Sequence, residues 1–67
     1  MTDKEKFAAA RARAYELADT GRYEDWAGLS AALLAEEISE RFVKSLGADS
    51  FTQTMLRNRM AQAKDRY

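Results

Sequence analysis

Apolar residues recur at helical spacing along the whole chain, and no stretch alternates apolar and polar residues as a half-exposed strand would. Thr2 followed by Glu5 has the spacing of a capping box, so we expect the first helix to begin at Thr2. Gly21 is placed to end that helix in the left-handed conformation. Between them, one face of this helix collects Phe7, Ala10, Ala14, Leu17 and Ala18.

The middle segment, residues 24–46, carries two apolar stripes that point in different directions. They are separated by a rotation of about 140° and consist of Trp26, Leu29 and Leu33, then of Leu34, Ile38, Phe42 and Leu46. One straight helix over this segment would be about 34 Å long, which exceeds the diameter of about 28 Å expected for a compact chain of this size. The pattern favours a break near residues 35–37. The alternative is an unbroken helix whose overhang packs on another subunit.

The last helix is predicted to follow Gly47 and to begin at Ser50, which has capping-box spacing to Gln53. Its inward stripe is formed by Leu56, Met60, Ala63 and Tyr67, with Phe51 and Thr52 at the edge. Its outward face is formed by Gln53, Thr54, Arg57, Asn58, Ala61 and Lys64. Residues 1–67 are therefore predicted to form one all-α domain, a compact bundle of three to four short helices.

Composition agrees with helices and limits how the fold is stabilised. Proline and cysteine are absent, and alanine, leucine and charged residues with long side chains dominate. Without cysteine or histidine the chain has no disulfide and none of the usual zinc or haem ligands. A domain of 67 residues buries only about 60% of the surface of its unfolded chain. Such a small core favours further burial in an oligomer.

The chain contains no recognisable catalytic chemistry. Histidine and cysteine are missing, the serines have no base partner, and the three glycines are isolated rather than grouped in a phosphate-binding loop. Glu36, Glu37 and Glu40 form a carboxylate cluster whose oxygen atoms could bind a hard cation. Pairing of Glu37 with Arg41 and of Glu40 with Lys44 on a solvated helix face is the stronger interpretation. We therefore predict a protein that is not an enzyme and has no cofactor or metal.

Charge does not indicate a nucleic-acid or membrane binder, because the formal net charge is zero. Residues 49–67 nevertheless hold four basic and two acidic side chains, whereas residues 21–48 hold three and five. The opening "MTDKEKF" mixes charges where a signal peptide would be basic and then apolar. No apolar run is long enough to span a membrane. These features predict a soluble, cytoplasmic protein.

The stretch "LADTGRYEDWAGLSAAL", residues 17–33, resembles a pattern in short uncharacterised helical proteins of proteobacteria. Their pattern has Leu-Ala, then a glycine, an aromatic residue, a tryptophan or tyrosine, and leucines at helical spacing. The following "LLAEE" is similar to their next segment, in which a glycine often stands at the position of Glu37. Arg57, Met60 and Ala63 match their closing helix. The resemblance covers about half of the chain and implies a helical fold rather than an activity.

A helix-turn-helix arrangement is a second comparison, with Gly47 as the turn glycine between residues 38–46 and 51–67. Two positions depart from that motif, since Val43 stands where a small residue is usual and Gln53 where an apolar one is expected. Arginine binds guanine edges, and asparagine or glutamine binds adenine edges. The candidate nucleic-acid face on the last helix consists of Gln53, Arg57, Asn58 and Lys64.

The leading interpretation is a small helical interaction module that self-associates or binds a protein partner. The two stripes of the middle segment exceed what one short bundle covers, and Phe42 and Leu46 are the candidate self-association residues. The alternative function is a helix-turn-helix-like DNA-binding protein that uses the last helix.

Overall fold

The computed structural model describes residues 2–65, which form four α-helices. These are α1 (Asp3–Ala18), α2 (Trp26–Ala35), α3 (Glu40–Ala48) and α4 (Ser50–Asp65). Every helix packs against the other three, and the Cα radius of gyration is 11.3 Å. The prediction of an all-α bundle is confirmed, and so is the break in the middle segment.

Local capping explains both ends of α1. The Thr2 hydroxyl oxygen accepts a hydrogen bond from the backbone N–H of Glu5 at 3.3 Å, as the capping-box spacing predicts. The helix ends at Ala18, three residues before the predicted stop. Gly21 then adopts the left-handed conformation, with φ of 76°. The glycine therefore turns the chain toward α2 after the helix has already ended.

The break between α2 and α3 is a Schellman turn. After α2 ends at Ala35, the N–H of Glu37 donates to the carbonyl of Leu34 at 3.0 Å, and the N–H of Ile38 donates to that of Leu33 at 3.2 Å. Ile38 then packs against the core. The turn requires a left-handed residue, which is Glu37 with φ of 66°. Glycine is the usual residue at such a position, because a Cβ atom is disfavoured there.

Replacing Glu37 by glycine is expected to stabilise the fold. Relief of about 1–2 kcal/mol of left-handed strain is partly offset by the greater entropy of glycine in the unfolded chain, about 0.4–1 kcal/mol. We expect the free energy of unfolding to rise by about 0.5–1 kcal/mol, measured by urea denaturation followed by circular dichroism. Glu37→Ala is the matched control, because it removes the carboxylate but keeps Cβ. Equal stability of the two variants would contradict the proposed strain.

The connection between α3 and α4 consists of Asp49 alone. Its carboxylate accepts from the N–H of Phe51 at 3.2 Å and from the hydroxyl of Thr52 at 2.7 Å. The Thr52 hydroxyl lowers the pKa of Asp49, together with backbone N–H groups and against a smaller effect of burial. Asp49 is thus the capping residue of α4, and the prediction of a cap at Ser50 is off by one position.

Gly47 lies inside α3 and does not end it, which corrects the prediction. It has no left-handed backbone, but a Cβ atom added to it would lie 3.0 Å from Nε1 of Trp26. Close approach of the indole therefore explains the glycine. The turn between α3 and α4 is one residue long, which is shorter than the three or four residues typical of a helix-turn-helix.

The core draws on all four helices. Its buried apolar members are Ala10, Ala14, Leu17, Ala18, Leu29, Leu33, Val43, Leu46, Leu56, Met60 and Ala63. Phe7, Trp26 and Phe42 are half-buried around it. Leu34, predicted on an apolar stripe, is 45% exposed, and Phe51, predicted at the edge of the inward stripe, is 67% exposed. Tyr67 lies outside the described residues.

Candidate interaction surfaces

A groove of about 470 Å³ lies between α1 and the beginning of α3, and we call it the α1–α3 groove. Its lining combines small and large apolar residues with charged ones: Lys6, Ala9, Ala10, Glu37, Ser39, Ile38, Arg41 and Phe42. The Schellman turn places Ile38 and Glu37 in this lining, so the groove exists because the middle segment breaks.

Phe42 is the main aromatic side chain of the α1–α3 groove. The centroid of its ring lies 6.3 Å from the centroid of the Phe7 ring, and the two ring planes are tilted by 59°. The guanidinium carbon of Arg41 lies 4.9 Å from the centroid of the Phe42 ring. Phe42 remains half-exposed and stays a candidate for self-association.

Leu46, the other candidate self-association residue, has 0% exposure and belongs to the core. It lies four residues after Phe42, so both residues fall on the same side of α3, but Leu46 belongs to the core cluster to which all four helices contribute. Its side chain is therefore not available to a second copy in this fold, which corrects its assignment to an outer surface.

The charged residues of the α1–α3 groove are only partly paired. Arg41 contacts Asp3 across 3.3 Å at the N-terminal end of α1. The predicted pair between Glu37 and Arg41 does not form, because Glu37 lies in the turn before α3. Among residues 2–65, neither Lys6 nor Glu37 has an ion-pair partner within 4.0 Å.

Two of the three glutamates suggested as a cation site pair with different basic side chains. Glu36 accepts two hydrogen bonds from Arg13, at 2.7 and 2.8 Å. This contact lowers the pKa of Glu36 and raises that of Arg13, in both cases against the effect of burial. Glu40 pairs with Lys44 at 3.3 Å, as predicted. Within residues 2–65, no group of three or more metal-ligating side chains comes together.

A second groove, of about 480 Å³, lies between the start of α2 and α4, and we call it the α2–α4 groove. Its lining mixes aromatic residues and both signs of charge: Tyr23, Glu24, Asp25, Trp26, Gln53, Arg57, Met60, Ala61 and Lys64. Three members of the candidate nucleic-acid face therefore share this groove. Asn58 faces a separate depression that also includes Arg59.

Two of the three nucleic-acid candidates in the α2–α4 groove already have partners. The side-chain amide of Gln53 donates to the carbonyl of Leu46 at 3.0 Å. The ammonium of Lys64 lies 3.4 Å from a carboxylate oxygen of Glu24. Arg57 is exposed. Carboxylates beside these cations oppose the approach of phosphates.

Arg59, which no sequence pattern singled out, connects α4 to α1. Its guanidinium carbon lies 4.5 Å from the ring centroid of Tyr15, and its Nη1 atom lies 2.8 Å from the carboxylate of Asp19. Its buried Nε atom has no hydrogen-bond partner among residues 2–65. These partners are distant in sequence, so the spacing of residues along the chain contained no signal for them. The contacts point to packing between helices rather than to a ligand site.

Comparison of this chain with protein-family models, with curated proteins and with solved structures finds no match. The resemblance to proteobacterial helical proteins therefore stays a prediction. Within residues 2–65, every helix is too short or too polar to cross a membrane.

Proposed function

We propose that this protein is a small, non-enzymatic helical interaction module that self-associates, with a second copy of the chain covering the α1–α3 groove. The observation that carries the proposal is the composition of this groove. Half-exposed Phe42 and Ile38 line this groove together with the small residue Ala9 and with charged side chains. Protein interfaces usually combine apolar residues with polar and charged ones in this way.

A second copy suits this groove better than an unrelated partner because the groove contains both signs of charge. In a two-fold symmetric dimer the same surface of both copies forms the interface. A basic residue of one copy can then contact the acidic residue of the other, and the same contact occurs a second time about the axis. Lys6 and Glu37 provide that combination. The zero net charge of the chain removes long-range repulsion between copies.

The size of the molecule also permits such a dimer. A standard interface buries about 800 Å² on each partner. The accessible surface of the chain is 4589 Å², so the interface would take about one sixth of it. The longest dimension of the molecule, 36 Å, leaves room for a patch of this size around the groove. Additional burial would supplement a core that one short chain keeps small.

Introducing a charge into the apolar lining of the α1–α3 groove is expected to dissociate the dimer. We expect Ala9→Glu to raise the dimer dissociation constant at least about tenfold, since a buried and unpaired carboxylate loses its hydration. Ala9 is exposed on α1, so the monomer should keep its fold. Light scattering and sedimentation over a range of protein concentrations measure the change.

Ala8→Glu is the matched control, because Ala8 is exposed on the same helix but does not line the groove. Phe42→Ala should also weaken the dimer, although it removes the contact with Phe7 inside the protomer as well. A wild-type protein that stays monomeric at high micromolar concentration would contradict self-association. If Ala9→Glu and Ala8→Glu dimerise equally well, the interface does not include the α1–α3 groove.

DNA binding through α4 is the alternative function, and it has less support. Arg57 and Asn58 are exposed. However, Gln53 and Lys64 have partners within the protein, and the turn before α4 is short. Titration of a mixed duplex library at low and physiological salt tests this alternative. We expect negligible binding; tight, salt-sensitive binding that Lys64→Ala weakens on all sequences would favour it.

A further inference from the structure

Lys6 and Glu37 are residues of opposite charge that line the α1–α3 groove, and Glu37 has an unusual backbone conformation. Lys6 comes from the first turn of α1, whereas Glu37 comes from the turn between α2 and α3. Glu37 is the only residue other than glycine with positive φ in the part of the chain that the structure describes. A position that disfavours a Cβ atom therefore carries a long, charged side chain. Strained residues of this kind concentrate at functional sites.

Contacts inside the protomer do not explain this glutamate. The carboxylate of Glu37 makes no hydrogen bond or ion pair with any of residues 2–65. The hydrogen bonds of the Schellman turn use the backbone alone, so glycine would satisfy them equally well. Glu37 lines the same groove as Lys6, where a second copy would meet both residues.

We infer that Glu37 and Lys6 determine the specificity of self-association, each pairing with the other residue on the second copy about a two-fold axis. This inference rests on the proposed function, because it requires that the groove is the dimer interface. Two symmetric ion pairs then flank an apolar centre that contains Phe42. Arg41 is less suited to this role, since Asp3 of the same protomer already contacts it.

Ion pairs at the edge of an interface contribute little affinity, whereas like charges placed opposite each other weaken binding strongly. The pair should therefore decide which copies associate rather than how tightly they do so. Reversing one charge on every copy would place like charges at both symmetric positions. Reversing Lys6 on one chain and Glu37 on the other would place opposite charges at both positions again.

The experiment uses Lys6→Glu and Glu37→Lys, alone and mixed, in the full chain. We expect each variant alone to dimerise at least about tenfold more weakly than wild type. The equimolar mixture should regain dimers that contain one chain of each kind. Native mass spectrometry identifies these heterodimers by mass, and circular dichroism verifies that both variants fold. Lysine at position 37 also carries Cβ, so this change does not relieve the backbone strain.

Controls with the same charge changes away from the groove are Lys4→Glu, on the exposed part of α1, and Glu24→Lys, in the α2–α4 groove. They should dimerise like wild type. A monomeric wild-type protein would overturn the proposed function itself. A dimeric wild type whose Lys6→Glu and Glu37→Lys variants dimerise equally well would overturn only the pairing. Weakened variants whose mixture forms no heterodimer would also overturn it.

Discussion

Replacing Leu46 by alanine is expected to lower the free energy of unfolding by about 2–5 kcal/mol, the range for removing a buried leucine from a packed core. Leu46 has 0% exposure and lies among buried residues from the other helices. A chain of this size has a total stability of about 3–10 kcal/mol. The variant should therefore be largely destabilised, as measured by urea or thermal unfolding at a fixed oligomeric state.

Leu34→Ala is the matched control, since it makes the same chemical change at a leucine that is 45% exposed. The sequence pattern placed both leucines on one apolar stripe, but only Leu46 is buried. Comparing the two variants therefore measures the effect of burial at positions that the pattern treats as equivalent. We expect Leu34→Ala to change stability much less than Leu46→Ala does. Similar losses for the two variants would contradict the burial that distinguishes them.

Replacing Gly47 by leucine is expected to displace Trp26 and to destabilise the fold by about 1–3 kcal/mol, as overpacking of a filled site usually does. A Cβ atom at this position would already lie 3.0 Å from Nε1 and 3.5 Å from Cε2 of the indole. The remainder of a leucine side chain has no room unless the ring moves. Unfolding measurements give the stability change, and the emission of Trp26 should shift to longer wavelength as water reaches it.

Replacing each of the two helical glycines, Gly28 and Gly47, by alanine isolates the contact between position 47 and Trp26. Replacing glycine by alanine inside a helix stabilises it by about 0.5–1 kcal/mol when space allows. A Cβ atom at Gly28 would meet its nearest neighbours at 3.7 Å, an ordinary contact. We expect Gly28→Ala to approach that gain and Gly47→Ala to lose most of it. A Gly47→Leu protein with wild-type stability and wild-type emission would contradict a filled space beside Trp26.

The ends of the helices show where local sequence signals are sufficient and where they are not. The capping interaction at Thr2 and the left-handed Gly21 were predictable, because each depends on residues only a few positions apart. The cap of α4 was assigned to Ser50, although Asp49 performs it. Serine and aspartate are both favoured at the N-cap position, so the sequence alone does not show which of these two neighbours caps α4.

The candidate sites were less predictable than the fold. Phe42 and Leu46 were both predicted to mediate self-association, and the pattern could not separate them because they share one stripe. Phe42 lines the α1–α3 groove, whereas Leu46 is buried. Glu37 drew attention as part of a solvated helix face rather than as a left-handed residue in a turn. Periodicity assigns a side chain to a face of its helix, and it does not show how far neighbouring helices extend over that face.

The sequence by itself determined the helical class, the approximate bounds of four helices and most of the inward residues, because these follow from periods and caps that operate within a few residues. Tertiary structure alone decided which part of the second apolar stripe is covered, why Gly47 has no side chain, and which charges far apart in sequence meet. The pairs Arg13–Glu36 and Arg59–Asp19 each join a helix to the C-cap residue of another helix. Such contacts depend on how the helices pack in three dimensions, and the α1–α3 groove arises from that same packing.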